Sequence, residues 1–128
     1  MSLKTADSWF SKFIRIRDAD SQGIVYCISC GNPVLWKKAD AGHFIKRQHK
    51  ARRFDEKNVN GQCRHCNYYE QGNDINYAKG LDKKYGTGII EELELAKSNT
   101  LPLGKFELKI IADYYHQRFN ELKKEKGL

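Results

Sequence analysis

The 128 residues predict an α+β fold, mostly helical around a small β-hairpin, and three features carry that expectation. Apolar residues recur at helical spacing at both ends of the chain. Short β-branched runs bounded by turn-forming residues lie near residue 30. All four cysteines fall into two Cys-x2-Cys pairs, Cys27/Cys30 and Cys63/Cys66. A chain of this length makes a single domain, residues 1–128, with a modest core.

The elements follow in order. Trp9, Phe10, Phe13, Ile14 and Ile16 mark an amphipathic helix over about 6–19. "SQG" (21–23) stops it, "IVYC" is a strand leading into the first cysteine pair, and "GNP" (31–33) is a turn. "VLWKK" gives a second strand, so His43 in "ADAGHF" lies on or just after it. From 45 to 60 the chain reads as a basic loop with little periodicity, and a loop that long is usually functional. "CRHCNYYEQGN" reads as a helix stopped near Gly72. Asn73 or Asp74 caps the next helix, with Ile75, Tyr77, Ala78 and Leu81 as its apolar face and Gly86 as its stop. Ile89 to Ala96 is a further helix. The last helix, about 105–124, carries Phe106, Ile110, Ile111, Tyr114, Tyr115, Phe119 and Leu122 as one stripe. A core of about 24–73 is thus flanked by helices over about 6–19 and 74–124.

Composition narrows the class. Hydrophobic residues make up 40% and charged residues 30%, and no apolar run approaches the roughly 18 residues of a membrane span. Charges inside the N-terminal apolar pattern argue against a secretory signal. A cytoplasmic setting is expected, where paired cysteines bind metal rather than form disulfides. Each pair supplies one rigid thiolate corner of a tetrahedral zinc site. The gap from Cys30 to Cys63 is longer than in a common zinc ribbon. A strand hairpin followed by a helix-borne pair is the treble-clef arrangement. A closed four-thiolate site has no open coordination position, so this zinc is scaffold.

The chemistry is then expected in what the clef encloses. The net charge is +7, and Lys37 to Arg64 holds nine basic residues against Asp40, Asp55 and Glu56. Charge concentrated in this way points to phosphate contacts. Lys46, Arg47, Lys50, Arg52 and Arg53 are the candidate DNA contacts; Arg53 beside Phe54 has an alternative role as a structural anchor of the loop. Neutral His43 is the candidate proton acceptor. The Asn67 carbonyl and a nearby carboxylate are hard ligands suited to Mg²⁺ or Mn²⁺. Asp40, three residues before His43, shares a strand face with residue 42, but reaching the site requires a bulge or bridging water. Glu70, three residues beyond Asn67 on the same helical face, is a second carboxylate candidate. His49 is a third option. His65 and His116 read as surface or packing residues. Tyr68 and Tyr69 are candidates for stacking on unpaired bases, with core packing the expected role for at least one.

The order of the cysteine pair, Gly-His-Phe, Asn58 and Asn67 resembles the HNH (ββα-metal) nucleases. More closely, "FIRIRDADSQGIVYCISCG", "WKKADAGHFIKR", "RRFDEKNVNGQCRHCN" and "GNDINYAKGL" resemble the NinG/Rap recombination proteins of lambdoid phages. These motifs run in register from Phe13 to Leu81. The resemblance implies a phage or prophage DNA endonuclease in the bacterial host cytoplasm or nucleoid. Its implied substrates are branched recombination intermediates, Holliday junctions or D-loops. It implies His43 as general base, Asn67 as metal ligand and Asn58 as the brace of the histidine loop. Many HNH nucleases carry a metal ligand directly before the general base, where this chain has Gly42. A second class, a zinc-stabilised protein that binds branched DNA without cutting it, would use the same basic loop. Convergence of Asp40, His43, Asn67 and Glu70 favours the enzyme. Symmetric cutting of a junction would favour a homodimer.

Overall fold

Ser2 opens the first helix by accepting a hydrogen bond from the Thr5 amide at 3.1 Å, which gives one orphan donor of the first turn a partner. The computed structural model describes residues 2–95, 97–99 and 102–128. Helix α1 (Leu3–Asp18) buries Ala6, Phe10, Phe13, Ile14 and Ile16 on one face. Strands β1 (Ile24–Tyr26) and β2 (Pro33–Leu35) form an antiparallel hairpin with Val25 opposite Val34. A second antiparallel hairpin joins β3 (Asp40–His43) to β4 (Val59–Gln62), with the short helix α2 (Lys50–Arg53) between them. A π-helical turn (His65–Tyr69) follows, then α3 (Asp74–Tyr85), α4 (Ile89–Glu94) and α5 (Lys105–Lys126). The fold is mixed α+β and about half helical.

Helices α1 and α5 lie side by side and run in the same direction. Ala6 packs with Leu108 and Ala112, Phe10 and Phe13 pack with Tyr115, and the two helices end together. There Lys126 Nζ donates to the carbonyls of Ile16, Arg17 and Ala19 at 2.6–2.9 Å, so a cation closes the C-terminal end of α1. A second cluster, Ile45, Tyr77, Leu81, Ile89 and Leu93, fastens the segment after β3 onto α3 and α4. Each large side chain so buried contributes roughly 1.5–3 kcal/mol.

A polar network ties α1 to β4. Arg17 donates to the carbonyls of Glu56 and Val59, and Asp18 accepts from the Gly61 amide at 2.7 Å. Burial opposes the charge on Asp18, but the Arg17 guanidinium and Lys84 hold its carboxyl below the ordinary range.

Several expectations are corrected. The second strand ends at Leu35 because Trp36–Lys38 turn away, with the Lys38 and Ala39 amides bonded back to the Leu35 carbonyl. His43 therefore sits on a third strand, in a second hairpin. The segment 45–60 is not one loop: it holds α2 and the start of β4. Ile75 faces solvent while Tyr77 and Leu81 are buried. On α5, Phe106, Ile110 and Tyr114 are exposed, and Leu108, Ala112, Tyr115 and Phe119 form the buried stripe. Ala96, the expected end of the fourth helix, lies outside the described residues.

Candidate active site and metal centre

The four cysteine sulfurs come together, all within 4.8 Å of one another. Cys27 and Cys30 hang from the turn after β1, and Cys63 and Cys66 from the end of β4 and the π-helical turn. The Cys30 amide points at Cys27 Sγ (3.5 Å), the Cys66 amide at Cys63 Sγ (3.4 Å) and Asn73 Nδ2 at Cys66 Sγ (3.4 Å). Amides aimed at sulfur stabilise thiolates. Burial pushes the Cys66 thiol up to about 12, and a bound dication reverses that, since a coordinating thiol is deprotonated outright. Four sulfurs at this separation fit a structural zinc ion. Helix α3 comes so close to this knuckle that a β-carbon at Gly80 would overlap the Ile28 carbonyl oxygen.

Beside the knuckle lies a cleft of about 1150 Å³. His43, Asp40 and Asn67 all line it, from the two ends of β3 and from the π-helical turn. His43 Nε2 lies 2.9 Å from the Arg53 carbonyl oxygen. A carbonyl only accepts, so Nε2 carries the proton and Nδ1 is the ring's acceptor. Burial pushes the His43 pKa down to about 4, opposed by the Arg53 carbonyl and reinforced by the charges of Arg47 and Arg53. The ring is neutral at physiological pH.

Asp40 needs no bulge to reach Asn67. Strand β3 is regular through Asp40–His43, and Asn67 Nδ2 donates to Asp40 Oδ2 at 3.0 Å, with Arg64 Nη1 3.4 Å from the other carboxylate oxygen. Asn58 is fully buried and holds the segment after His43. Its Oδ1 accepts from the Ile45 amide at 2.8 Å, and its Nδ2 donates to the carbonyls of Ile45 and Arg52.

Other candidates are elsewhere. Glu70 points away from the cleft to His65, at 3.1 Å. The turn is π-wound, with the Glu70 amide bonded to the His65 carbonyl, so residues three apart no longer share a face. His49 precedes α2 and does not line the cleft. His116 stacks on Trp9 with ring centroids 3.7 Å apart, a packing role as expected. Both Tyr68 and Tyr69 are exposed, so neither packs in the core.

The basic candidates divide. Lys46 and Arg47 line the cleft, and Arg47 is exposed. Lys50 is exposed but does not line the cleft. The Arg52 guanidinium donates to the carbonyls of Glu92, Leu93 and Leu95 and to Asp55, joining α2 to the end of α4. Arg53 grips Asp7 of α1 with a two-pronged ion pair and donates to the Arg47 carbonyl at 3.1 Å. Both guanidinium groups are committed within the fold, although Arg53 also lines the cleft. The sequence reading missed the far wall of the cleft. Asp7, Ser11 and Arg15 line it from α1. Their i, i+4, i+8 spacing is a polar stripe legible in the sequence. It also missed Gln62, fully buried on β4, whose Oε1 is the one buried side-chain polar atom without a partner among the described residues.

A sequence model of the family described as bacteriophage lambda NinG protein matches residues 3–125. The chain belongs to the NinG family. It is 31% identical to protein ninG of Escherichia phage lambda over 126 residues, which is 98% of this chain and 59% of that protein. It is 31% identical to protein ninG of Escherichia phage 933W over 126 residues and 32% identical to that of Salmonella phage P22 over 122. Those alignments cover 98% and 94% of this chain, and 60% and 57% of the relatives. The chain thus spans less than two thirds of these NinG proteins. No solved structure matches it. In this NinG-family chain no described helix is long and apolar enough to cross a membrane.

Proposed function

We propose that this NinG-family chain is a metal-dependent, structure-selective DNA endonuclease of HNH type that cuts branched recombination intermediates such as Holliday junctions or D-loops. The observation that carries the reading is one cleft joining a neutral histidine to the Asp40–Asn67 pair beside cationic side chains. The donor set fits a hard divalent ion: a carboxylate and an amide whose side chains meet at 3.0 Å. Asp40 and Asn67 would hold Mg²⁺ or Mn²⁺, which when bound stabilises charge developing on the phosphate and leaving oxygen.

The chain's own residues do the rest. Lys46, Arg47 and Arg64 line the cleft and supply positive charge for a phosphate backbone, whose contacts position DNA without reading sequence. His43 Nδ1 takes a proton from water as the water oxygen bonds to phosphorus. The phosphorus–oxygen bond to the leaving sugar then breaks, and solvent protonates that oxygen. An acceptor with a pKa of about 4 is a weak base. A phosphate in the cleft offsets the repulsion of Arg47 and Arg53 and so raises the ring's basicity.

The test is incubation with branched and linear DNA in Mg²⁺, Mn²⁺ or EDTA, for the parent and His43→Ala. The variant should lose cleavage by about 10²–10⁴-fold while keeping its fold and its affinity for branched DNA. A variant that cuts at the parent rate removes His43 from the mechanism. A parent that binds junctions but never cuts them leaves a zinc-stabilised DNA-binding protein.

A further inference from the structure

Gln62 stands opposite Asp40 across the β3–β4 hairpin, and cross-strand partners share a face. Its Nε2 donates to the Gly72 carbonyl at 2.6 Å and to Ser29 Oγ at 2.9 Å. The Gly72 carbonyl accepts only, so the amide cannot turn over, and its oxygen is held on the other side. That oxygen is fully buried and has no donor among the described residues. An unsatisfied buried carbonyl is costly.

The oxygen occupies the space that a side chain at residue 42 would fill: a β-carbon there would overlap Gln62 Oε1 and sit 3.3 Å from Asn67 Oδ1. Gly42 is therefore required for Gln62 to adopt this position. Two amide oxygens thus approach one point, each presenting lone pairs. Asn67 is oriented as well, because its Nδ2 donates to Asp40 and its oxygen lies on the side of Gly42. Converging carbonyl oxygens repel unless a donor or a cation lies between them, and two amide oxygens with a carboxylate alongside are hard-cation ligands.

We infer that Gln62 is a ligand of a divalent cation held jointly with Asn67 and Asp40, its carbonyl oxygen standing where residue 42 offers no side chain. The inference rests on the endonuclease reading for the ion's role, but it is tested by binding. The probe is Mn²⁺, added to zinc-loaded protein and followed by electron paramagnetic resonance, with the Mn²⁺-induced rise in Tm measured in parallel. Gln62→Met should weaken Mn²⁺ at least about tenfold and remove most of the rise in Tm. Gln62→Glu adds a carboxylate, so its Mn²⁺-induced rise should exceed the parent's even if the metal-free variant is less stable. Because each protein is compared with and without Mn²⁺, the stability lost with the Gly72 and Ser29 hydrogen bonds cancels, and the gain expected of Gln62→Glu, which loses the same bonds, separates a ligand from a brace. If Asp40→Asn loses Mn²⁺ while Gln62→Met binds it like the parent, Gln62 is only a brace and the inference falls. If the parent itself binds no Mn²⁺, the divalent site of the endonuclease reading falls with it.

Discussion

Lys46 and Arg47 open the basic segment and Arg52 and Arg53 close it, and the same kind of charge has opposite uses at the two ends. At the first end, Lys46 has one ion pair, with Asp74 at 3.1 Å, and Arg47 is exposed at the cleft. At the other, every described partner of the two guanidiniums is a carbonyl or carboxylate of the fold itself. The difference teaches that a run of cations in sequence measures available charge, not charge available to a ligand. Arginine is suited to both uses because its planar fork satisfies several acceptors at once. At Arg53 the fork holds α1 and the 47–48 bend while its own carbonyl holds His43.

The largest effect should come from the closing end. Arg53→Ala removes a largely buried pair and leaves Asp7 without its partner, so a loss of about 2–3 kcal/mol in stability is expected. Urea unfolding measures it. Cleavage should fall as well, because the segment orienting the histidine ring loosens. If Arg53→Ala is as stable as the parent and only DNA affinity drops, the division between the two ends is wrong.

Much of this site was legible in the sequence. Cysteine spacing pointed to the four-sulfur cluster, and the order Asp40, His43, Asn58, Asn67 to residues that the fold brings to one cleft or its supporting loop. The second hairpin was not legible: "VNGQ" is a strand without apolar alternation, because all four residues are buried and its polar side chains bond inward. Periodicity cannot detect such a strand. Glu70 was misplaced because a π-wound turn breaks the 3.6-residue rule. The anchoring role of Arg53 was open in the sequence. The partners of Arg52 and Arg53 were not legible, because they are a carboxylate and backbone carbonyls far along the chain, Asp7 and residues 92–95, which no local pattern marks. Gln62 carried no signal beyond its place next to Cys63.

A second effect sharpens the comparison through pH. The folded His43 pKa of about 4 lies below the ordinary 6.5, so the unfolded chain takes up a proton between those values that the folded protein refuses. Stability should therefore be level above about pH 6.5 and fall toward pH 4, by up to about 3 kcal/mol from this group. Unfolding at a series of pH values, compared with His43→Ala, isolates the contribution. An equal slope in both proteins would show that the ring is not desolvated.

The smallest effect on the fold should come from Arg47→Ala. The side chain is exposed, so stability should change by less than about 0.5 kcal/mol. Its absence should be felt by a polyanion instead. Affinity for every DNA should fall together, and the slope of log affinity against log salt should flatten by about one, as expected for one lost phosphate contact. The acid fall in stability should also become shallower, because the Arg47 charge helps to hold the His43 pKa down. A variant that lost stability would make Arg47 a brace like Arg53. One that kept the full salt slope would place the DNA backbone elsewhere, with Arg64 and Lys46 the next cations of the cleft to replace.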